Sequence, residues 1–211
     1  MGKEAKVRLG DFMNRVQKDF EGSNGIEEFS SRYFDYLKEL FSKIDTAKIK
    51  LLVDTFEEAR ANGKTVFFIG NGGSAATASH FANDMGVLKN KNLKHLKAIS
   101  LCENNSKITA IANDYGYEYI FEKQLESLME KGDVLVAISA SGNSANLVKA
   151  VEFVKLNGGK TFSLVGFSGG ILKEISDHSL YIPTGDKEFG PVEDIHSILN
   201  HLIGSYYTYS K

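Results

Sequence analysis

The chain has one cysteine, two prolines and no marked excess of either charge. A single thiol, Cys102, excludes an internal disulfide and fits a reducing compartment. It ends an apolar run, where a buried structural thiol is expected rather than a nucleophile. The formal net charge is −2, so no basic field points to a nucleic-acid partner. The lysine-rich stretches at 48–50 and 89–97 read as solvated faces. No run approaches the roughly 20 apolar residues that span a bilayer, so no membrane partner is expected. Met1-Gly2-Lys3-Glu4-Ala5 is charged and continues into mixed polar sequence. That is not the pattern of a signal peptide, and a cytoplasmic location is expected. Neither G-x-G-x-x-G nor G-x-x-x-x-G-K-[ST] occurs, which disfavours dinucleotide and nucleoside triphosphate sites.

What is present is an ordinary globular composition, 42% apolar over 211 residues, enough to build one α/β domain. Phe29, Tyr33, Leu37 and Phe41 recur at helical spacing and predict a helix over 26–44. Asp45 or Thr46 can cap a second helix carrying Ile49, Val53 and Phe56, which stops near Gly63. This hairpin is expected to pack either on its own domain or on a partner subunit. The segment before residue 22 is compatible with a short helix. From residue 65 the pattern alternates. Strands are predicted at 65–69, 96–101, 133–138, 161–165 and 179–182. Helices are predicted over 74–88, 105–112, 117–129, 143–157, 171–176 and 192–208, the last with Pro191 near its first turn. Apolar strands joined by helices predict a three-layer α/β/α sandwich with a mainly parallel five-stranded sheet. Ligands of such folds sit beyond the carboxyl ends of the strands.

Two loops at that edge look alike: Ile69-Gly70-Asn71-Gly72-Gly73-Ser74 and Ile138-Ser139-Ala140-Ser141-Gly142-Asn143-Ser144. Each follows an apolar strand and opens a helix. Small residues let backbone approach a ligand, and a helix N-terminus offers unpaired N–H groups to an anion. The serines add rotatable donors. Neither loop contains lysine or arginine, so a phosphate would be held mainly by neutral donors. The alternative is that each loop is only a tight strand-to-helix turn. Among ionisable residues, His80 and Asp84 stand four apart on the helix after the first loop and share a face. Glu193, Asp194, His196 and His201 cluster in the terminal helix. A histidine and a carboxylate one turn apart can hold a metal or act as an acid/base pair, although either histidine can equally be a packing residue. His196 lies about 140° around an ideal helix from His201, so the two should not share a site.

These runs, together with Ala112-Asn113-Asp114-Tyr115-Gly116 and Glu193-Asp194-Ile195-His196, resemble the sugar isomerase (SIS) domain family. The likeness extends over about residues 45–208 and, within the family, is to enzymes acting on sedoheptulose 7-phosphate. It implies a single SIS domain over 1–211, with a helical part over 1–63 and a flavodoxin-like α/β core with a C-terminal helix over 64–211. It also implies aldose–ketose isomerisation through an enediol, feeding lipopolysaccharide or capsule synthesis. Asn71, Gly72, Gly73, Ser74, Asn113, Asp114, Ser139, Ala140, Ser141, Ser144 and Glu193 match the sugar-phosphate positions. His80, Asp84, Glu193 and His201 match the ligands of one zinc ion, with Asp84 and His201 also catalytic. A homotetramer with sites at subunit contacts is implied as well. Two residues depart from the family pattern: Asp84 stands where glutamate is usual, and Glu193 where glutamine is usual. The competing expectation is a non-catalytic SIS module that binds a sugar phosphate or associates with a replication initiator.

Overall fold

The computed structural model describes residues 14–88, 90 and 93–210. The amino-terminal pentapeptide and part of the 89–97 lysine stretch lie outside these. Three helices come first: α1 (Arg15–Glu21), α2 (Ile26–Ser42) and α3 (Thr46–Ala61). Asp45 caps α3 as expected, its carboxylate accepting from the Ala47 N–H at 2.9 Å. The α/β alternation follows as β1 (Thr65–Gly70), α4 (Gly73–Gly86), β2 (Lys97–Ser100) and α5 (Asn105–Asp114). A 3₁₀ turn, Tyr117–Tyr119, precedes α6 (Glu122–Leu128), so the single helix predicted over 117–129 is split. Then come β3 (Val134–Ser139), α7 (Ala145–Leu156), β4 (Lys160–Val165), α8 (Gly170–Ile175), β5 (His178–Tyr181) and α9 (Phe189–Tyr209).

The sheet is parallel throughout, in the order β2-β1-β3-β4-β5. From β1 the chain first winds outward to β2 and then crosses to β3 on the other side. The strand order therefore reverses between β1 and β3, where Gly70 lies level with Ile138. Alternate residues of each strand feed two cores. Phe68, Val136 and Leu164 pack with Leu40, Leu52, Phe81 and Ile195 beneath the layer of α2, α3, α4 and α9. Phe67, Leu135, Ala137 and Val165 pack on the opposite face with Leu125, Leu147 and Leu172 of α6, α7 and α8. Both faces are covered, which is why the strands are apolar without alternation.

The amino-terminal hairpin packs on its own domain: Leu40, Leu52 and Phe56 are fully buried in the first core. Its buried stripe is displaced from the expected one. Tyr36 and Leu40 face inward, while Phe41 is 39% exposed. The cause is a polar anchor. Glu188, 2% exposed, precedes α9 and accepts from the Arg15 and Gly185 N–H groups and from the Tyr36 hydroxyl. Tyr33 reaches the same helix, donating to Asp194 Oδ2 at 2.6 Å. These bonds set the rotation of α2 against α9.

One core residue carries a pH cost. His196 is 1% exposed, neither ring nitrogen has a partner among the described residues, and burial pushes its pKa down to about 3. The unfolded chain takes up this proton near pH 6.5, whereas the folded chain does so only near 3. The stabilising contribution is therefore complete above about pH 6.5 and is lost as the pH falls towards 3, at about 1.4 kcal/mol per pH unit. Urea denaturation at pH 7, 6, 5 and 4 should show this slope in the native protein, and His196→Leu should flatten it.

Candidate functional site

Both glycine- and serine-rich loops leave the carboxyl ends of adjacent strands, at the point where the strand order reverses. They line one small cavity of about 100 Å³, with Asn71 and Ser74 from the first loop and Ser139, Ala140, Ser141 and Ser144 from the second. The N-termini of α4 and α7 meet there. Gly72 caps α4 without a side chain, and Ser144 caps α7 without a side-chain bond to that helix. Neither helix start is closed by its own cap, so N–H donors and the Ser144 hydroxyl stay available to an anion. The second loop is braced internally: Ser139 Oγ accepts from the Gly142 N–H at 3.0 Å, and Ser141 Oγ from the Asn143 N–H at 3.3 Å. Gly142 has φ +67°, and a Cβ there would stand 1.9 Å from the Gly169 carbonyl oxygen, so this turn admits only glycine.

The two loops are also tied to each other. Asn71 and Asn146 exchange amide hydrogen bonds of 3.0 and 2.8 Å. The Tyr117 hydroxyl donates to Asn71 Oδ1 at 2.9 Å. Asn113 and Asp114 end α5, exposed and bonded to one another, and they do not line the cavity. Their segment reaches the cradle through Tyr117 instead. Asn146, 2% exposed, and Tyr117 were not among the residues singled out from the sequence. The available signal for Asn146 was a polar residue at helical spacing from Ala150 and Val154, on the apolar face of α7.

From the cradle, a polar seam runs between α4 and α9. At its near end the Glu193 carboxylate closes the cavity and packs on Gly73, where a Cβ would come within 2.1 Å of Oε2. Burial, then the neighbouring Asp194, holds the Glu193 carboxyl above the usual carboxylate range. Next, Thr77 Oγ1 and Ser197 Oγ meet at 3.3 Å. At the far end His80 and His201 pack edge to face, with ring centroids 4.8 Å apart. His80 Nε2 is 3.3 Å from Asp84 Oδ2, and Asn200 Nδ2 donates to that oxygen at 2.8 Å. One ligand atom each from His80, Asp84 and His201 lies within 4.8 Å of the others. Asp84 and His201 also line an open cleft of about 580 Å³.

Two imidazoles and a carboxylate beside an open cleft fit a divalent ion such as zinc with a coordination position left for another ligand. Within one chain Glu193 stands apart from this group. Eight residues of helix place it about 12 Å from His201 along the axis. Because α9 is already helical at Phe189, no irregular first turn shortens that distance. His196 points into the core, apart from His201, as its angular position requires.

The model of the SIS domain family matches residues 32–166. A phosphoheptose isomerase of Helicobacter pylori (strain P12) is 39% identical over 188 residues, which is 89% of this chain and 91% of the relative. Among solved structures, a phosphoheptose isomerase from Francisella tularensis aligns with a TM-score of 0.79 at 27% identity, covering 87% of this chain and 98% of that one. The enzyme from Neisseria gonorrhoeae aligns at 0.76 and 29% identity, covering 86% and 98%. The chain belongs to the SIS domain family, on the branch of the phosphoheptose isomerases.

Proposed function

We propose that the protein is an aldose–ketose isomerase that converts sedoheptulose 7-phosphate to D-glycero-D-manno-heptose 7-phosphate. The observation that carries this reading is the seam itself, with an anion cradle at one end and a His80–Asp84–His201 group at the other. A sugar-phosphate binder needs the cradle but has no use for the second group. Their separation of about 12 Å along α9 suits a sugar whose reacting carbon is many bonds from its phosphorus.

In this reading the Ser139, Ser141 and Ser144 hydroxyls and the N-termini of α4 and α7 hold the phosphate, and Asn71 and Glu193 meet sugar hydroxyls. Asp84 removes the proton from C1 of the ketose and returns it to C2, passing through an enediol. His201 moves the hydroxyl proton between O1 and O2. His80, Asp84 and His201 would hold a divalent ion, zinc by donor chemistry, and such an ion supplies polarisation of the carbonyl when bound. The product would serve heptose-containing lipopolysaccharide or capsule in the cytoplasm. A homotetramer is supported by the exposed apolar row Ile198, Leu202 and Tyr206 on α9. Among the described residues no helix is long and apolar enough to cross a membrane.

Three outcomes are expected. Asp84→Asn and His201→Ala should each lower turnover of sedoheptulose 7-phosphate at least about a hundredfold, while calorimetry still detects binding of the sugar phosphate; undiminished turnover by both would sink the assignment. Ser139→Ala with Ser141→Ala should weaken that binding about tenfold or more, and unchanged affinity would place the phosphate elsewhere. Chelator treatment should remove a stoichiometric divalent ion, measurable by elemental analysis, and activity should return on adding zinc.

A further inference from the structure

The core-facing side of α9 carries two polar side chains that packing alone does not call for. His196 and Asn200 stand one turn apart, at 1% and 0% exposure. The His196 ring nitrogens and Asn200 Oδ1 have no hydrogen-bond partner among the described residues. A buried polar atom left unpaired costs its full desolvation. Leucine at position 200 would have the same branching and the same number of side-chain heavy atoms with no polar atom to leave unpaired. The bond that Asn200 does make crosses to α4, from Nδ2–H to Asp84 Oδ2 at 2.8 Å.

Asp84 needs such an anchor. Its side chain is 26% exposed and sits beside an open cleft. Its other oxygen, Oδ1, accepts from Asn83 at 3.0 Å, but Asn83 is exposed and adjacent in the chain, so it sets no position. His80 is 44% exposed and belongs to the group being positioned. Asn200 is the buried donor to this carboxylate among the described residues, and its place is fixed by the helix packing around it.

We infer that Asn200 is a positioning residue, its amide holding the Asp84 carboxylate against His80 and His201 across the α4–α9 contact. This rests on the isomerase reading of the same site. The geometry explains why a polar side chain stands at a position where an apolar one would leave no atom unpaired. It also explains how a side chain as short as aspartate keeps one orientation at the edge of a cleft.

The test uses the full chain with Asn200→Leu, and Asn200→Ala should the first variant fail to fold. Three readouts are needed: thermal unfolding, Co²⁺ affinity from visible absorption, and kcat and KM for sedoheptulose 7-phosphate. Thermal unfolding should show a folded protein with a cooperative transition. Co²⁺ affinity and kcat should each fall about 10- to 100-fold, with KM changed less than about threefold. In an Asp84→Ala background the same substitution should leave Co²⁺ affinity unchanged, because the residue it acts through is gone. Native Co²⁺ affinity and kcat in the single variant overturn the inference. An equal loss of Co²⁺ affinity with and without Asp84 overturns it as well, since the effect would then be one of packing. A native protein that binds Co²⁺ but does not isomerise the sugar overturns the isomerase reading alone, and the Co²⁺ comparison still decides on Asn200. One that isomerises without binding Co²⁺ leaves kcat to decide, and one that does neither overturns both.

Discussion

The pairing of β1 with β3 is the constraint on which the rest of this molecule depends. Gly70 and Ile138 lie level at the carboxyl edge of the sheet, and each strand hands the chain to a loop and a helix at that level. The helices that follow lie on opposite faces: α4 on the side of α9, α7 on the side of α6 and α8. Their N-termini therefore diverge from a common point, and the crevice between them faces solvent. The amide exchange between Asn71 and Asn146 spans this crevice and keeps the two loops in one geometry.

The seam between α4 and α9 extends that point into a site. Helix contacts in a core are ordinarily apolar, because each unpaired polar atom costs about 1–3 kcal/mol when buried. Here one edge of the contact, beside the apolar Phe81, Ile195 and Leu199, is polar along its length: Glu193 on Gly73, Thr77 with Ser197, Asn200 with Asp84, and His201 on His80. The cost is offset by the two apolar cores on either face of the sheet and by the anchoring of α9 at its start. Glu188 supplies that anchor, joining α1 and α2 to the first residues of α9. The amino-terminal helices thus act on the site at one remove, by fixing where α9 begins and how it is rotated.

The order of strands and helices was legible from the sequence because hydrophobic period and capping residues act locally. Asp45, Pro191 and the glycine-rich turns mark element ends through their own backbone chemistry. The cradle was legible for the same reason: each loop is a contiguous run whose residues all fall in one place. The partners were not. Asn146, Tyr117 and Asn200 come from separate elements, and their roles depend on how helices dock, which no single window of sequence encodes. The buried face of α2 was misplaced because Tyr36 is drawn inward by Glu188, 152 residues away. Glu193 was expected with the metal-binding group; within one chain, regular helix from Phe189 onward sets it in the cradle, so the two come together only where different subunits contribute.

That placement of Glu193 bears on how the cradle can hold an anion at all. Neither loop carries a basic side chain, and the nearest ionisable group of the cavity is an acid. At a separation of about 4 Å, two like charges repel by about 4 kcal/mol in a partly screened protein site, more than one neutral hydrogen bond returns. The arrangement is workable only if the negative charge of Glu193 is reduced. Burial, and then the proximity of Asp194, act in that direction by raising the pKa of the Glu193 carboxyl. The positive ends of α4 and α7 face the same space and supply attraction that does not vary with pH. Helix ends, hydroxyls and one carboxyl group are what the proposed phosphate would meet in place of lysine. The other carboxylate of the seam, Asp84, stands at the far end with His80 and His201.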